Sequence, residues 1–288
     1  MAYENFIPSV WAVGIERDLE RECVFIEDCN RKYEGTISKE GQSVTILGVG
    51  KPTIKKISKA DKNKNIDEAE EIEDTSVTMY INQIAYFNYM VGDIDKAQAK
   101  DGVMDALSAE TSEALANEVD SYVASMVVDA SVKPLYEEPK KVVASETPAA
   151  GEVNVLDVID EALEKLYEND VKQSTKIIIT ISPRFYKLFK KAYLKNDTNN
   201  SDILKHGKVA MYGNVTVKMS NNVYKTANGS VDNIMIRTQR AIAYAQPLTH
   251  TEAYRPEKKF ADAVKGFILY DSKVVRPKEI ININVKYS

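Results

Sequence analysis

Histidine and cysteine are almost missing from this chain, which removes most metal and nucleophile chemistry at once. In 288 residues there are two histidines and two cysteines. His206 and His250 lie far from each other and from Cys23 and Cys29, so the roughly four ligands of a structural zinc site are not grouped. Two cysteines in one short segment make no disulfide framework and read as reduced thiols of a chain made in a cytosol-like compartment. Long hydrophobic runs are missing too. No stretch approaches the about 20 apolar residues of a membrane span, and the opening "MAYENFIPSVWAVGIERDLERE" lacks the basic and apolar regions of a signal peptide. No membrane partner is expected. Nor is there a surplus of positive charge: 38 basic against 43 acidic residues leave −5, the wrong sign for a protein whose task is gripping a phosphate backbone. What remains, 44% hydrophobic and 28% charged, is an ordinary globular composition able to bury a large core in one large domain or two modest ones.

One short stretch imitates a phosphate cradle. "GQSVTILGVGKPTIKKI", Gly41 to Ile57, contains Gly48-Val49-Gly50-Lys51. A Walker loop needs a glycine five residues before Gly50, where Thr45 stands, and a hydroxyl residue after Lys51, where Pro52 stands. The following "TIKKI" reads as strand, so no helix N-terminus faces a phosphate. The stretch therefore reads as two strands, around Thr45–Leu47 and Thr53–Ile57, joined by a glycine-rich turn. Nucleophilic catalysis has no better footing. Gly-x-Ser-x-Gly is absent, Ser182 reads as a helix cap, and neither histidine has a local partner pattern. The carboxylates are spread over helix faces, and no catalytic pair stands out. No catalytic residue, cofactor or metal is expected.

Along the chain the pattern changes several times. Trp11, Ile15, Leu19, Cys23 and Ile26 recur at helical spacing after Pro8. Such a stripe packs on its own core or lies on a neighbouring subunit, and packing in cis is the commoner outcome. "KADKNKNIDEAEEIED" is a solvated stretch. "TSVTMYINQIAYFNYMV" alternates Val77, Met79 and Ile81 against Thr78, Tyr80 and Asn82, one long strand. Met104, Leu107, Thr111, Leu115, Val119, Tyr122 and Met126 predict a long helix between 95 and 129, with Asp101 as its cap. "SVKPLYEEPKKVVASETPAAGE" reads as a linker and domain boundary. Beyond it Asn154 caps a helix with the stripe Leu156, Ile159, Leu163 and Leu166. "KIIITI" is a strand buried on both faces, and Ser182-Pro183 opens another helix. That helix–strand–helix run predicts a separate α/β lobe. Lys187, Lys190, Lys191 and Lys195 on its last helix read as a solvated face, with a DNA-facing patch as the sharper alternative. Strands are expected at Val215–Val217, Ile234–Ile236, Ala241–Ala245, Thr249–Tyr254, Val264–Tyr270 and Ile280–Val285.

Taken in order, four segments resemble the major capsid proteins of tailed bacteriophages and their prophage relatives. They are "FIPSVWAVGIERDLERECVFIEDCNRKYEG", "YFNYMVGDIDKAQAKDGVMDALSAETSEALANEVDSYV", "GNVTVKMSNNV" and "EAYRPEKKFADAVKGFILYDSKVVRPKEI". The resemblance implies an α+β chain with the Hong Kong 97-type capsid fold. It implies an N-terminal arm at 1–32, an extended β-hairpin loop at 33–75, and a peripheral domain with a long spine helix at 76–149. An α/β axial domain at 150–245 and strands returning to the peripheral domain at 246–288 complete the implied plan. It implies a coat protein that self-assembles, as pentamers and hexamers, into an icosahedral shell around double-stranded DNA, located in the virion and assembled in the bacterial host cytoplasm.

By the same resemblance, inter-subunit contacts are expected from Trp11, Ile15 and Leu19 of the arm and from Val49, Gly50, Lys51, Lys55 and Lys56 of the loop. Lys51, Lys55 and Lys56 also match, by position only, a lysine that some relatives cross-link, although exposed hairpins carry lysines for edge protection in any case. The family-like arm begins at Phe6, so scaffolding is expected from a separate protein or not at all. The other implied partners are a portal protein and DNA held by non-specific contacts. Two other readings stand beside this one: the shell of an encapsulin-like nanocompartment, marked by a protein cargo, and a soluble α/β enzyme, marked by a monomer with a deep polar pocket. Deleting Val49–Thr53 is expected to leave a folded monomer that assembles poorly, which sedimentation would show. Unchanged assembly would remove the hairpin's clasping role.

Overall fold

The computed structural model describes residues 23–32, 43–49, 54, 56, 74–92, 103–195 and 211–287. Its helices are α1 (Val24–Glu27), α2 (Val103–Ser125), α3 (Val155–Glu168) and α4 (Pro183–Lys195). Strands β1 (Ser43–Val49) and β2 (Asp74–Tyr80) form an antiparallel two-stranded ribbon. Strands β12 (Ile242–Tyr254), β13 (Ala261–Val274) and β3 (Gln83–Gly92) form a three-stranded antiparallel sheet in that order. The third sheet is large and mixed. Its main path runs β6 (Glu152–Asn154), β5 (Lys140–Val143), β14 (Ile280–Lys286), β11 (Val231–Thr238), β7 (Ile177–Ile181), β9 (Val215–Met219), β8 (Met211–Tyr212). Strands β4 (Lys133–Pro134) and β10 (Lys225–Thr226) pair alongside.

The ribbon differs from the expected short hairpin. Gly48 and Val49 do not turn; they continue β1 and pair with Thr75 and Asp74. β1 finds seven partners in a β-branched segment, whereas the nearer candidate follows Pro52, which has no N–H to offer a ladder. Ile46 and Met79 are buried with Ile81, Ala243, Ala245 and Leu269, so the root of the ribbon is fixed to β12 and β13 by a small apolar cluster of its own.

The single long strand expected across 75–91 is two strands in two sheets. The break is at Ile81, which is buried, and Asn82, whose N–H donates to Asp271 Oδ2 at 3.1 Å. Alternation continues through the break, with Val77, Met79 and Ile81 followed by half-buried Gln83, Ala85, Phe87 and Tyr89. A period-two pattern records which face a residue takes; it does not record the change of partner.

The expected linker is also sheet. β4 and β5 pair in parallel with β14, and β6 with β5, while Leu135, Tyr136 and Val142 are buried. Prolines and lysines there mark short strands near a sheet margin rather than a domain boundary. The C-terminal strand likewise departs from the expected plan. β12 and β13 build the three-stranded sheet, but β14 runs through the large sheet between β11 and β5.

Other expectations match the structure. Asn154 Oδ1 accepts the Leu156 N–H at 3.0 Å, and Ser182 Oγ accepts that of Phe185 at 3.3 Å, so both helices of the α/β layer start on the caps expected. β7 is buried at every position. α2 continues into a 3₁₀ turn at Met126–Val128. Its most buried positions are Ser112, Leu115, Ala116, Val119, Asp120, Val123, Ala124 and Val127, a face rotated slightly from the apolar stripe because a serine and an aspartate are part of it. The cap expected at Asp101 lies outside the described residues.

Gly266 on β13 sits beneath the ring of Phe87. A Cβ there would come within 2.6 Å of Phe87 Cζ and 2.7 Å of the His250 carbonyl oxygen. Gly266→Ala is expected to destabilise the chain by about 1–3 kcal/mol, the usual scale of overpacking, read as a lower urea midpoint. An unchanged midpoint would mean that β12 and β13 separate freely at this point.

Candidate assembly surfaces and their anchor

Residues 23–30, expected as the end of a free arm, are built into the body. Phe25, Ile26, Cys23 and Cys29 are buried. From α2, Asp120 (1% exposed) turns its carboxylate to the start of α1 and accepts the Phe25 N–H at 2.7 Å. Asn222, in the turn after β9, donates to Asp120 Oδ2 and to Asn117 Oδ1, each at 3.2 Å. From β11, Arg237 (1% exposed) donates to the carbonyls of Asp28 at 2.5 Å and Phe25 at 2.7 Å. Lys218 Nζ lies 2.6 Å from both Glu27 and Asp28 carboxylates, and Lys176 adds a longer contact to Asp28. Asn30 then joins β12 as a parallel bridge to Ala243. Its N–H donates to the Ile242 carbonyl and its carbonyl accepts from Tyr244.

The electrostatics suit anchorage. Burial raises the Asp120 carboxyl above its ordinary range, partly offset by the backbone N–H groups of α1 and by Asn222. Burial works against the Lys218 ammonium, yet Asp28 and Glu27 outweigh it and raise its pKa. Burial also pushes the Cys29 thiol up, which favours its protonated form, and the two buried cysteines form no disulfide.

The three-stranded sheet has one face turned to α2 and one open face. Phe87, Tyr89, Ile268 and Tyr270 turn toward α2, where Tyr122 meets Tyr270 edge-on at 5.4 Å and donates to Asp271. Outward stand Ile84 (56% exposed), Tyr86 (79%) and Met90 (50%). Tyr86 faces Phe267 across the ladder, and His250 follows at 5.7 Å from the Phe267 ring. β3 is an edge strand among the described residues. A row of large exposed apolar side chains beside an open edge marks a protein-contact surface. Between β3 and α2 lies a groove of about 610 Å³, walled by Phe87, Tyr89, Leu107 and Thr111 and rimmed by Glu110 and Glu118.

Of the contact residues read from sequence, Trp11, Ile15, Leu19, Gly50, Lys51 and Lys55 lie outside the described residues. Val49 ends β1, and Lys56 is exposed beside Ile54, which is 87% exposed. Among the described residues no group of three or more histidines, cysteines and carboxylates is placed to hold a metal, and no helix is long and apolar enough to cross a membrane. His250 packs on Phe267; His206 lies outside the described residues. The anchor residues Asp120, Asn222 and Arg237 escaped sequence reasoning. Their signal was a charge inside an otherwise apolar face: Asp120 between Val119 and Val123, and Arg237 after "IMI".

No protein-family model and no curated protein sequence matches the chain. Solved structures do. A protein of Mycobacterium phage Che8 superposes with a TM-score of 0.70 at 24% identity, over 91% of this chain and 90% of that one. The capsid structure of the cyanophage P-SCSP1u gives 0.64 at 18%, over 88% and 85%. A virus-like particle from Pyrococcus furiosus gives 0.57 at 10%, over 96% and 98%. The chain therefore has the phage capsid fold, the Hong Kong 97-type architecture that the resemblance implied.

The raised Asp120 pKa carries a sign. The folded state binds this proton more tightly than the unfolded chain, so its stabilising share is complete below the ordinary carboxylate pKa of about 4 and disappears as pH rises through the folded value. Relative to Asp120→Asn, the wild type is expected to lose stability across that window in denaturant titrations at stepped pH. Parallel curves would show that the buried carboxyl titrates as if exposed.

Proposed function

We propose that this chain is the major capsid protein of a tailed phage or prophage, a structural subunit and not an enzyme. The observation that carries the reading is the extent of the likeness: the superposition spans about nine-tenths of this chain and of the phage protein, which supports a structural role for the chain as a whole. The structure adds surfaces that suit repeated contact between copies. A two-stranded ribbon is marginal alone and gains stability when laid on another subunit. The open face at Ile84, Tyr86 and Met90 is an apolar seat of the kind such a ribbon needs. Many modest contacts of this sort close a shell through multivalency.

In this reading the ribbon is the extended loop, and β12, β13, β3 and α2 form the peripheral domain. The large sheet with α3 and α4 is the axial domain, which takes in β14. The segment before Cys23 is the arm, rooted at Asp120 and Arg237. Assembly takes place in the host cytoplasm with a separate scaffolding protein and a portal protein, and DNA touches the shell through non-specific contacts that the net charge of −5 keeps weak. A second reading, a nanocompartment shell around protein cargo, draws on the likeness to the Pyrococcus particle.

The test is negative-stain electron microscopy of the full chain, expressed alone and with the proteins encoded beside it. Closed shells are expected, with DNA inside those recovered from infected or induced cells. Shells holding a cargo protein and no nucleic acid would favour the second reading. Monomers under every condition would overturn both.

A further inference from the structure

The helical layer on the large sheet is charge-separated. The units β6–α3–β7 and β7–α4–β9 step along the sheet in the same sense, which for right-handed crossovers puts both helices on one face. α3 packs over β14 and β6, toward one sheet margin. α4 packs beside it on the β8 side, where Phe189 meets Tyr212 of β8 at 5.8 Å, and the Tyr212 hydroxyl donates to Asp160 of α3 at 3.1 Å. Their buried sides are apolar: Ile159, Ala162 and Leu166 on α3, Phe185, Phe189 and Ala192 on α4.

Their outer sides differ in sign. α3 carries Asp157, Asp160, Glu161, Glu164 and Glu168, and its one lysine, Lys165, is engaged with the Leu135 carbonyl at 2.7 Å. α4 carries Arg184, Lys187, Lys190 and Lys191 and no acidic residue. Asp157, Glu164 and Glu168 are exposed along one ridge, as are Arg184, Lys187 and Lys191 along the other. Among the described residues no ion pair joins the two helices. Among the described residues neither ridge has an ion-pair partner, and each is complementary to the other.

We infer that these ridges mate between copies: the acidic α3 flank of one subunit faces the basic α4 flank of the next. This deepens the shell reading and rests on it. Two different flanks meeting head to tail make a heterologous contact, the kind that closes into a ring. Opposite charges on the two flanks set the order of subunits and oppose like-to-like docking. Nucleic acid is the other occupant that a basic ridge admits. The observations favour a second copy, because the acidic ridge on the same face repels phosphate while the next subunit offers the matching charge.

The test uses three full-length variants. The first reverses the basic ridge (Arg184→Glu, Lys187→Glu, Lys191→Glu). The second reverses the acidic ridge (Asp157→Lys, Glu164→Lys, Glu168→Lys), sparing Asp160 and Glu161, which bond to Tyr212 and Tyr136. The third combines both. Circular dichroism establishes that each folds. Each single reversal is expected to raise the concentration needed for assembly roughly tenfold or more, the scale of a few exposed ion pairs replaced by repulsion. The combined swap is expected to restore assembly toward wild type.

Single reversals that assemble like wild type would overturn the inference and leave the shell reading standing. So would a combined swap that stays as impaired as its parents while folded, or a basic-ridge reversal that alters only DNA retention. A wild type that never passes beyond the monomer would overturn both.

Discussion

Everything in this structure hangs on how a short peptide, Val24 to Asn30, is gripped where three parts of the fold cross. Asp120 reaches it from α2, Arg237 from β11, and Asn30 joins it to β12. Each contact is to backbone or to a buried charge. Breaking one leaves a buried donor or acceptor without a partner, at about 1–3 kcal/mol or more for a charged group. Apolar packing alone would let α2 slide along the sheet; directional bonds from two sides do not. The grip therefore does more than add stability. It sets the relation of the long helix to the large sheet and to the three-stranded one.

If the chain is the shell subunit proposed above, this has a mechanical consequence. Load arriving through a neighbour's contact must be transmitted without shearing the subunit. In this chain the segment leading into the body at Cys23 is fastened to α2 and β11 together, with Lys218 and Lys176 neutralising Asp28 beside it. The ribbon has a smaller root, the cluster of Ile46, Met79, Ala243, Ala245 and Leu269. The peptide at Val24–Asn30 and the ribbon are thus held by separate sets of residues.

The outer surfaces follow a division of labour. The open face of the three-stranded sheet carries Ile84, Tyr86 and Met90 with Asn88 and the Lys265–Glu252 ion pair among them, suited to an extended partner. The helical layer over the large sheet is charged and ridged, suited to setting order and register between copies. Apolar contacts supply area without direction; separated charges supply direction with little net affinity. A closed shell needs both, since subunits must adhere and must also adhere in one orientation.

Local signals were legible in the sequence. The caps at Asn154 and Ser182 act on the next turn of their own helices, and the doubly buried run of β7 is written in one contiguous stretch. The long helix was equally legible, because periodicity of that length has one reading, whereas the α+β class followed from the family resemblance. Pairing was not. β1 takes Asp74–Tyr80 in place of the segment after Pro52, and alternation passes through Ile81–Asn82 while the chain changes sheets. The stretch between Val132 and Asn154 reads as linker until β14, from the far end of the chain, supplies its ladder. The anchor was hidden for the same reason. Asp120, Asn222 and Arg237 are separated by up to 117 positions from one another, and only the tertiary structure brings them to one peptide. Sequence decides what a segment can be, since propensity and capping are interactions between near neighbours. Which segments meet is decided by burial and by buried hydrogen bonds across the whole fold, and those exist only once the chain has folded.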